Sequence, residues 1–108
     1  MKQISSTEFD AEVLRSKEPV LVDFFTDGCG PCRMLAPVLE ELASEGNGLF
    51  KLVKVDAASE SALAASLGVN AVPALFVFKN GNVIGQTIGL KSKASLKKWF
   101  EDSLRTAA

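Results

Sequence analysis

The chain has 108 residues, 47% hydrophobic and 23% charged, which suits one globular domain over residues 1–108 with a core that needs no staples. Twelve basic and thirteen acidic side chains are mixed along it for a net charge of −1, so it lacks the basic face that a nucleic acid or an anionic membrane would need, and neither partner is expected. It has no histidine, which excludes Ser-His and Cys-His nucleophilic catalysis and removes the commonest zinc ligand.

The stretch from Met1 to Glu8 has no apolar signal region, and no apolar run approaches membrane-spanning length, so a cytoplasmic location is expected. Gln3-Ile4 predicts a short first strand. Ser6 or Thr7 then caps a helix over 8–16, with Phe9, Val13 and Leu14 on one face, and Pro19 ends it. Residues 20–25 read as a strand apolar on both sides, as buried parallel strands are, with Asp23 the exception inside it.

Next comes Asp27-Gly28-Cys29-Gly30-Pro31-Cys32-Arg33, which holds both cysteines. A second helix starts near Cys29 or Gly30, with Pro31 in its first turn, where a missing N–H costs little. Met34, Leu35, Val38, Leu39 and Leu42 form its expected buried stripe. Pro37 predicts a kink, and Gly46-Asn47-Gly48 stops the helix. Residues 50–56 predict a strand. Ser59 or Ser61 opens a short Ala-rich helix that runs through Leu67 and ends at Gly68. Residues 75–79 and 82–88 read as a hairpin across Asn80-Gly81, and Gly89 breaks its second strand. Ser92 caps a last amphipathic helix with Leu96, Trp99, Phe100 and Leu104 inward, which puts the only Trp far from the cysteines. The order is β α β α β α β β α. Three helical crossovers predict parallel pairings, and the hairpin adds an antiparallel edge.

The cysteine pair sits where a buried strand meets a helix. A thiolate is the nucleophile in disulfide exchange, and the N–H groups of a helix N-terminus favour it. Cys29 precedes the first turn and is the more exposed of the two, and a spacing of three brings Cys32 within bonding reach. Cys29 can then attack a target disulfide and Cys32 can resolve the mixed disulfide. Pro31 stiffens the turn and tunes the potential. Zinc is the bland alternative, but it wants four ligands, and only a carboxylate such as Asp27 or a second chain could supplement two cysteines here, so no metal is assigned. Asp23, six residues before Cys29, either pairs with Lys54 or lies beneath the dithiol as a proton acceptor for Cys32 with a raised pKa. Val72-Pro73 precedes a strand, and sequence alone does not select its cis or trans form.

Val22-Asp23-Phe24-Phe25, Cys29-Gly30-Pro31-Cys32-Arg33-Met34, Ala36-Pro37, Val72-Pro73-Ala74, Phe78-Lys79-Asn80-Gly81 and the Gly89 segment together resemble the thioredoxin family, in its order and over almost the whole chain. The resemblance implies the thioredoxin fold, an α/β architecture with a central mixed sheet of about five strands flanked by four helices. It implies a redox-active Cys29–Cys32 disulfide with no bound cofactor, and a cis Pro73 packed against that disulfide. Val72 would offer backbone hydrogen bonds to an extended substrate segment. Gly30, Pro31, Ala71, Val72, Pro73 and Gly89 would form a shallow apolar docking surface. Electrons would come from NADPH through a flavoprotein thioredoxin reductase. They would pass to protein disulfides such as those of ribonucleotide reductase, peroxiredoxins or methionine sulfoxide reductases. A monomer is expected.

The chain departs from the family at Gly28, where Trp is usual, and more mildly at Phe25. The family lysine near the buried Asp aligns with Leu52, and Lys54 on the same strand face can substitute for it. Two other readings stand beside a reductase: an oxidase or isomerase, and an interaction subunit whose dithiol is incidental.

Overall fold

Six residues at the middle of the sheet hold the rest in place. β2 (Val20–Phe25) is buried from Val20 through Phe24, because neighbours flank it on both edges and helices cover both faces. The computed structural model describes residues 1–106. Before β2 come β1 (Lys2–Gln3) and α1 (Ser6–Phe9), which continues as a wider π-turn over Asp10–Leu14. After it come α2 (Gly30–Glu45), β3 (Lys51–Asp56), α3 (Ser61–Ser66), β4 (Ala74–Lys79), β5 (Asn82–Ile88) and α4 (Lys93–Thr106). The sheet order is β1-β3-β2-β4-β5.

One expected pairing is corrected. β1 with β3 and β3 with β2 are parallel, but β4 runs antiparallel to β2 as well as to β5. The reason is length. The six residues of α3 rise about 9 Å, against roughly 20 Å for a six-residue strand. So α3 with its loops does not carry the chain back along the sheet, and β4 starts at the end where β3 finished.

The alternation of strand side chains builds a core on each face. Val20, Val22, Phe24, Val53, Val55 and Phe76 pack on the α1 and α3 side. Leu21, Leu75 and Val77 meet Leu35, Leu39 and Leu42 of α2 and Leu96 and Phe100 of α4 on the other. Each such side chain contributes roughly 1.5–3 kcal/mol when fully buried. Met34 was expected in this stripe but is 63% exposed. It stands roughly 100° round the helix from Leu35 and further still from Cys32, so it points away from the sheet. Val38 is half-buried. α2 runs unbroken through Pro37, which is exposed on its outer side.

The cap of the first helix also differs from expectation. Ser5, not Ser6 or Thr7, is the N-cap, with its N–H donating to the Glu8 carboxylate at 3.0 Å. Ser6 is free to donate its N–H and hydroxyl to Glu60, at 2.8 and 2.6 Å, which ties α1 to the turn before α3. The helix ends at Leu14 rather than Ser16, because its last turn widens and Arg15 N–H reaches the Asp10 carbonyl. At α4 the cap is as expected, with the Ser92 hydroxyl accepting the Ser95 N–H at 3.1 Å.

β5 meets α4 at Gly85. A Cβ there would collide with the Ser103 side chain, which is buried and donates to the Trp99 carbonyl. Gly85→Val should therefore lose about 1–3 kcal/mol by overpacking, read as a lower urea midpoint at unchanged slope. A midpoint equal to the parent's would show that α4 has room to move.

Candidate redox site

β2 leaves the sheet at Phe25, and the chain turns at once. The Cys29 N–H donates to the Thr26 carbonyl at 3.4 Å, closing a four-residue turn. Of the two central residues only Gly28 has a positive φ, 80°, as the third position of a type II turn requires. An L side chain there costs roughly 1–2 kcal/mol. The turn therefore accounts for the glycine at a position where an aromatic residue was the family expectation.

The turn delivers Cys29 to the N-cap of α2. Its Sγ accepts the Cys32 N–H at 3.1 Å, and its carbonyl accepts the Arg33 N–H at 3.1 Å. One of the orphan donors of the helix end is thus aimed at sulfur. Cys29 and Cys32 form a disulfide with their Cα atoms 5.3 Å apart. Cys29 is half-buried, and Cys32 is buried at 5% exposure. The accessible sulfur is the N-terminal one. Gly30 and Pro31 are exposed beside it.

Asp23 lies on the face of β2 that α2 covers, 2% exposed, and its Oδ1 has no hydrogen-bond partner among the described residues. Burial pushes its pKa from the ordinary 3.8 up to about 6, while the Lys54 ammonium pulls in the opposite direction. Lys54 is the register partner of Asp23 on β3; Leu52 is not. Its Nζ also stands 5.0 Å over the Phe25 ring. Asp23, Cys32, Gly28 and Lys54 line one cavity of about 170 Å³.

Pro73 reaches this end of the sheet because β4 is antiparallel. Ala74 pairs with Phe24, so Pro73 lies beside the point where β2 leaves for the dithiol. The Val72–Pro73 bond is cis, and Pro73 is buried. Its carbonyl accepts the Gly89 N–H at 2.8 Å. Val72 is half-buried and Ala71 exposed. Among the described residues no turn or loop hydrogen bond uses the Val72 N–H or carbonyl. Trp99 sits apart, on α4 against Ile84 and Ser103. Among the described residues no three His, Cys, Asp or Glu side chains lie where they could hold a metal ion.

A disulfide between cysteines with two residues between them, at the head of a helix leaving a mixed sheet, is the site of a thiol–disulfide oxidoreductase. A sequence model of the Thioredoxin family matches residues 1–102. The chain is 39% identical over 102 residues to Thioredoxin 1 of Nostoc sp., an alignment covering 94% of this chain and 95% of that protein. It is 42% identical over 96 residues to a thioredoxin of Streptomyces clavuligerus, 89% of each chain, and 38% identical over 101 residues to a thioredoxin of Haemophilus influenzae, 94% of each. The chain belongs to the thioredoxin family.

Asp23 has a consequence for stability. A carboxyl whose folded pKa lies above its unfolded one binds its proton more tightly when folded. Its contribution is complete below about pH 4 and is lost as pH rises through about 6. Asp23→Asn should therefore stabilise the protein at pH 7 by up to about 3 kcal/mol, the free-energy equivalent of the shift. The gain should shrink to near zero at pH 4. Urea melts at both pH values check this, and a gain independent of pH would show that the carboxylate is not ionised at the cost of folding.

Proposed function

We propose that the chain is a dithiol electron carrier that reduces protein disulfides, with Cys29 as attacking and Cys32 as resolving thiol. The observation that carries this reading is the asymmetry of the pair. Cys29 is the accessible sulfur and receives a helix N–H, whereas Cys32 is buried in the cavity that Asp23 also lines.

The Cys29 thiolate attacks one sulfur of the target disulfide. That bond breaks, and its electron pair leaves on the other target sulfur, which takes a proton. Cys32 then gives its proton to the Asp23 carboxylate, directly or through a water, and its thiolate attacks Cys29 Sγ. The bond to the target breaks, the target departs with both sulfurs reduced, and Cys29–Cys32 is oxidised. A proton acceptor with a pKa of about 6 suits neutral pH, because it is ionised when the step begins and still basic enough to take a proton.

The target segment docks on Ala71, Val72, Pro73 and Gly89, with Gly30 and Pro31 at the dithiol side. Val72 lies just before the β4 ladder, and its backbone groups are available to an extended strand. Gly30 and Pro31, with Gly28, tune the potential through the stiffness and exposure of the turn. The chain needs no cofactor of its own, and a flavin-dependent thioredoxin reductase re-reduces it from NADPH. The expected compartment is the cytoplasm. No helix of the described residues is long and apolar enough to cross a membrane.

Cys29→Ser should abolish reduction of a protein disulfide, and Cys32→Ser should accumulate a mixed disulfide visible on non-reducing gels. Equal residual activity in the two variants would refute the assigned order. Asp23→Ala should slow turnover near neutral pH while the fold persists; a pH–rate profile identical to the parent's would remove Asp23 from the mechanism.

A further inference from the structure

At the far end of α2 from the dithiol, the chain turns through Asn47-Gly48, whose φ values of 50° and 82° suit a type I′ turn. The Leu49 N–H closes the turn by donating to the Gly46 carbonyl at 2.9 Å. Gly46 lies on the Phe50 ring, where a Cβ would collide, and Phe50 packs on Phe100 of α4 with 4.5 Å between ring centroids. The loop is thereby held beside α4. A hollow of about 350 Å³ remains there, with Leu42, Leu49, Phe50, Phe100 and Leu104 as its apolar walls. Leu49 is 77% exposed, the most of any large apolar side chain among the described residues. Exposed Ile88 and Leu90 flank Gly89 on the proposed docking surface, but the 16 residues of α2, about 24 Å of helix, separate Leu49 from that end. Three charged side chains border the hollow: Glu45, Lys97 and Glu101. Glu45 is paired with Lys93. Lys97 and Glu101, both exposed, make no ion pair among the described residues, although Lys98, one residue on, closes on Asp102 at 2.9 Å.

We propose that this face is a self-association surface, on which a second copy of the chain packs about a two-fold axis to form a weak, reversible dimer. A two-fold interface sets residue i against j and j against i, so the patch has to complement itself. Lys97 and Glu101 do so: they lie one turn apart on α4 and carry opposite charges. With α4 antiparallel to its copy and the axis midway between these residues, Lys97 faces the second copy's Glu101, and Glu101 faces the second copy's Lys97. The same rotation brings the two Leu49 side chains together over the paired hollows, where both leave water. A net charge of −1 opposes the approach of two copies only weakly. One helix face and one loop make a small contact, of the transient class, so the pair belongs to high protein concentration and replaces the expected monomer only there. The disulfide, at the other end of α2, stays free in both copies, so the inference does not rest on the proposed redox mechanism.

Sedimentation equilibrium of the oxidised protein tests this, because both cysteines are then held in the internal disulfide and no disulfide-linked pair can form. The average mass should climb toward twice that of the chain as concentration rises from about 10 μM to about 1 mM. Leu49→Ser should hold it at the monomer value. Lys97→Glu and Glu101→Lys should each do the same, because either one sets like charges together at both contacts. An equimolar mixture of those two variants should associate again, since every contact in the mixed pair then joins opposite charges. All three positions are exposed, so the substitutions leave the fold intact, and an unchanged rate of disulfide reduction by dithiothreitol confirms it. A parent chain that stays monomeric to about 1 mM would overturn the proposal and leave the hollow to a different protein. Association that survives in Leu49→Ser or in either charge variant would overturn it by placing the contact on another face, and so would a mixture that stays monomeric.

Discussion

The structure depends on where the first turn of α2 falls. The sulfur of Cys29 takes the place that a serine or aspartate oxygen usually holds at an N-cap, accepting the Cys32 N–H at 3.1 Å. Sulfur is a weak acceptor when neutral and a good one when ionised, so this geometry favours the thiolate. The helix is long enough to hold its end fixed. Leu35, Leu39 and Leu42 anchor it on the sheet over about two turns, and Lys93 of α4 reaches both Glu41 and Glu45 near its far end. Those ion pairs are exposed and contribute little stability; the apolar contacts carry the anchoring.

The second constraint is the direction of β4. A full crossover after β3 would have started β4 at the opposite end of the sheet, and Pro73 would lie about one strand length from the cysteines. The short α3 instead returns the chain where β3 ended, so the ends of β2 and β3, the head of β4 and the N-terminus of α2 share one end of the sheet. The end that bears the disulfide therefore also bears a strand beginning whose backbone groups at Val72 precede the ladder.

Much of this was legible in the sequence. The hairpin across Asn80-Gly81, the burial of Val20–Phe24, the N-cap of α4 and the start of α2 follow from local chemistry that tertiary packing does not oppose. The antiparallel β4 was not legible, because hydrophobic periodicity reports which residues are buried and says nothing of strand direction; the shortness of the Ala-rich segment was the available signal. Met34 was misjudged because an apolar residue next to a buried stripe fits the helical period nearly as well as one inside it. Lys54 facing Asp23 depended on the β2–β3 register, which a lone sequence does not specify. The reason for Gly28 lay in a single backbone angle.

That angle changes what the glycine means. If Gly28 were only a site that had lost a side chain, any residue could return there, and the turn would be indifferent to it. At φ 80° the turn itself selects glycine, and a large aromatic would need a different path between Thr26 and Cys29. The open rim beside the dithiol is therefore a property of the backbone. Asp23 is the other costly feature of this end of the sheet: its ionised form is destabilised by burial and only partly offset by Lys54. A buried carboxylate without a hydrogen-bond partner, at a cost of about 3 kcal/mol in the ionised form, is a poor way to stabilise a sheet. An aliphatic side chain in the middle of β2 would pack as well as the valines and leucine around it. In the proposed mechanism the acid serves the sulfur that shares its cavity, and the same burial that weakens the fold brings its pKa close to the pH at which a thiol must lose a proton.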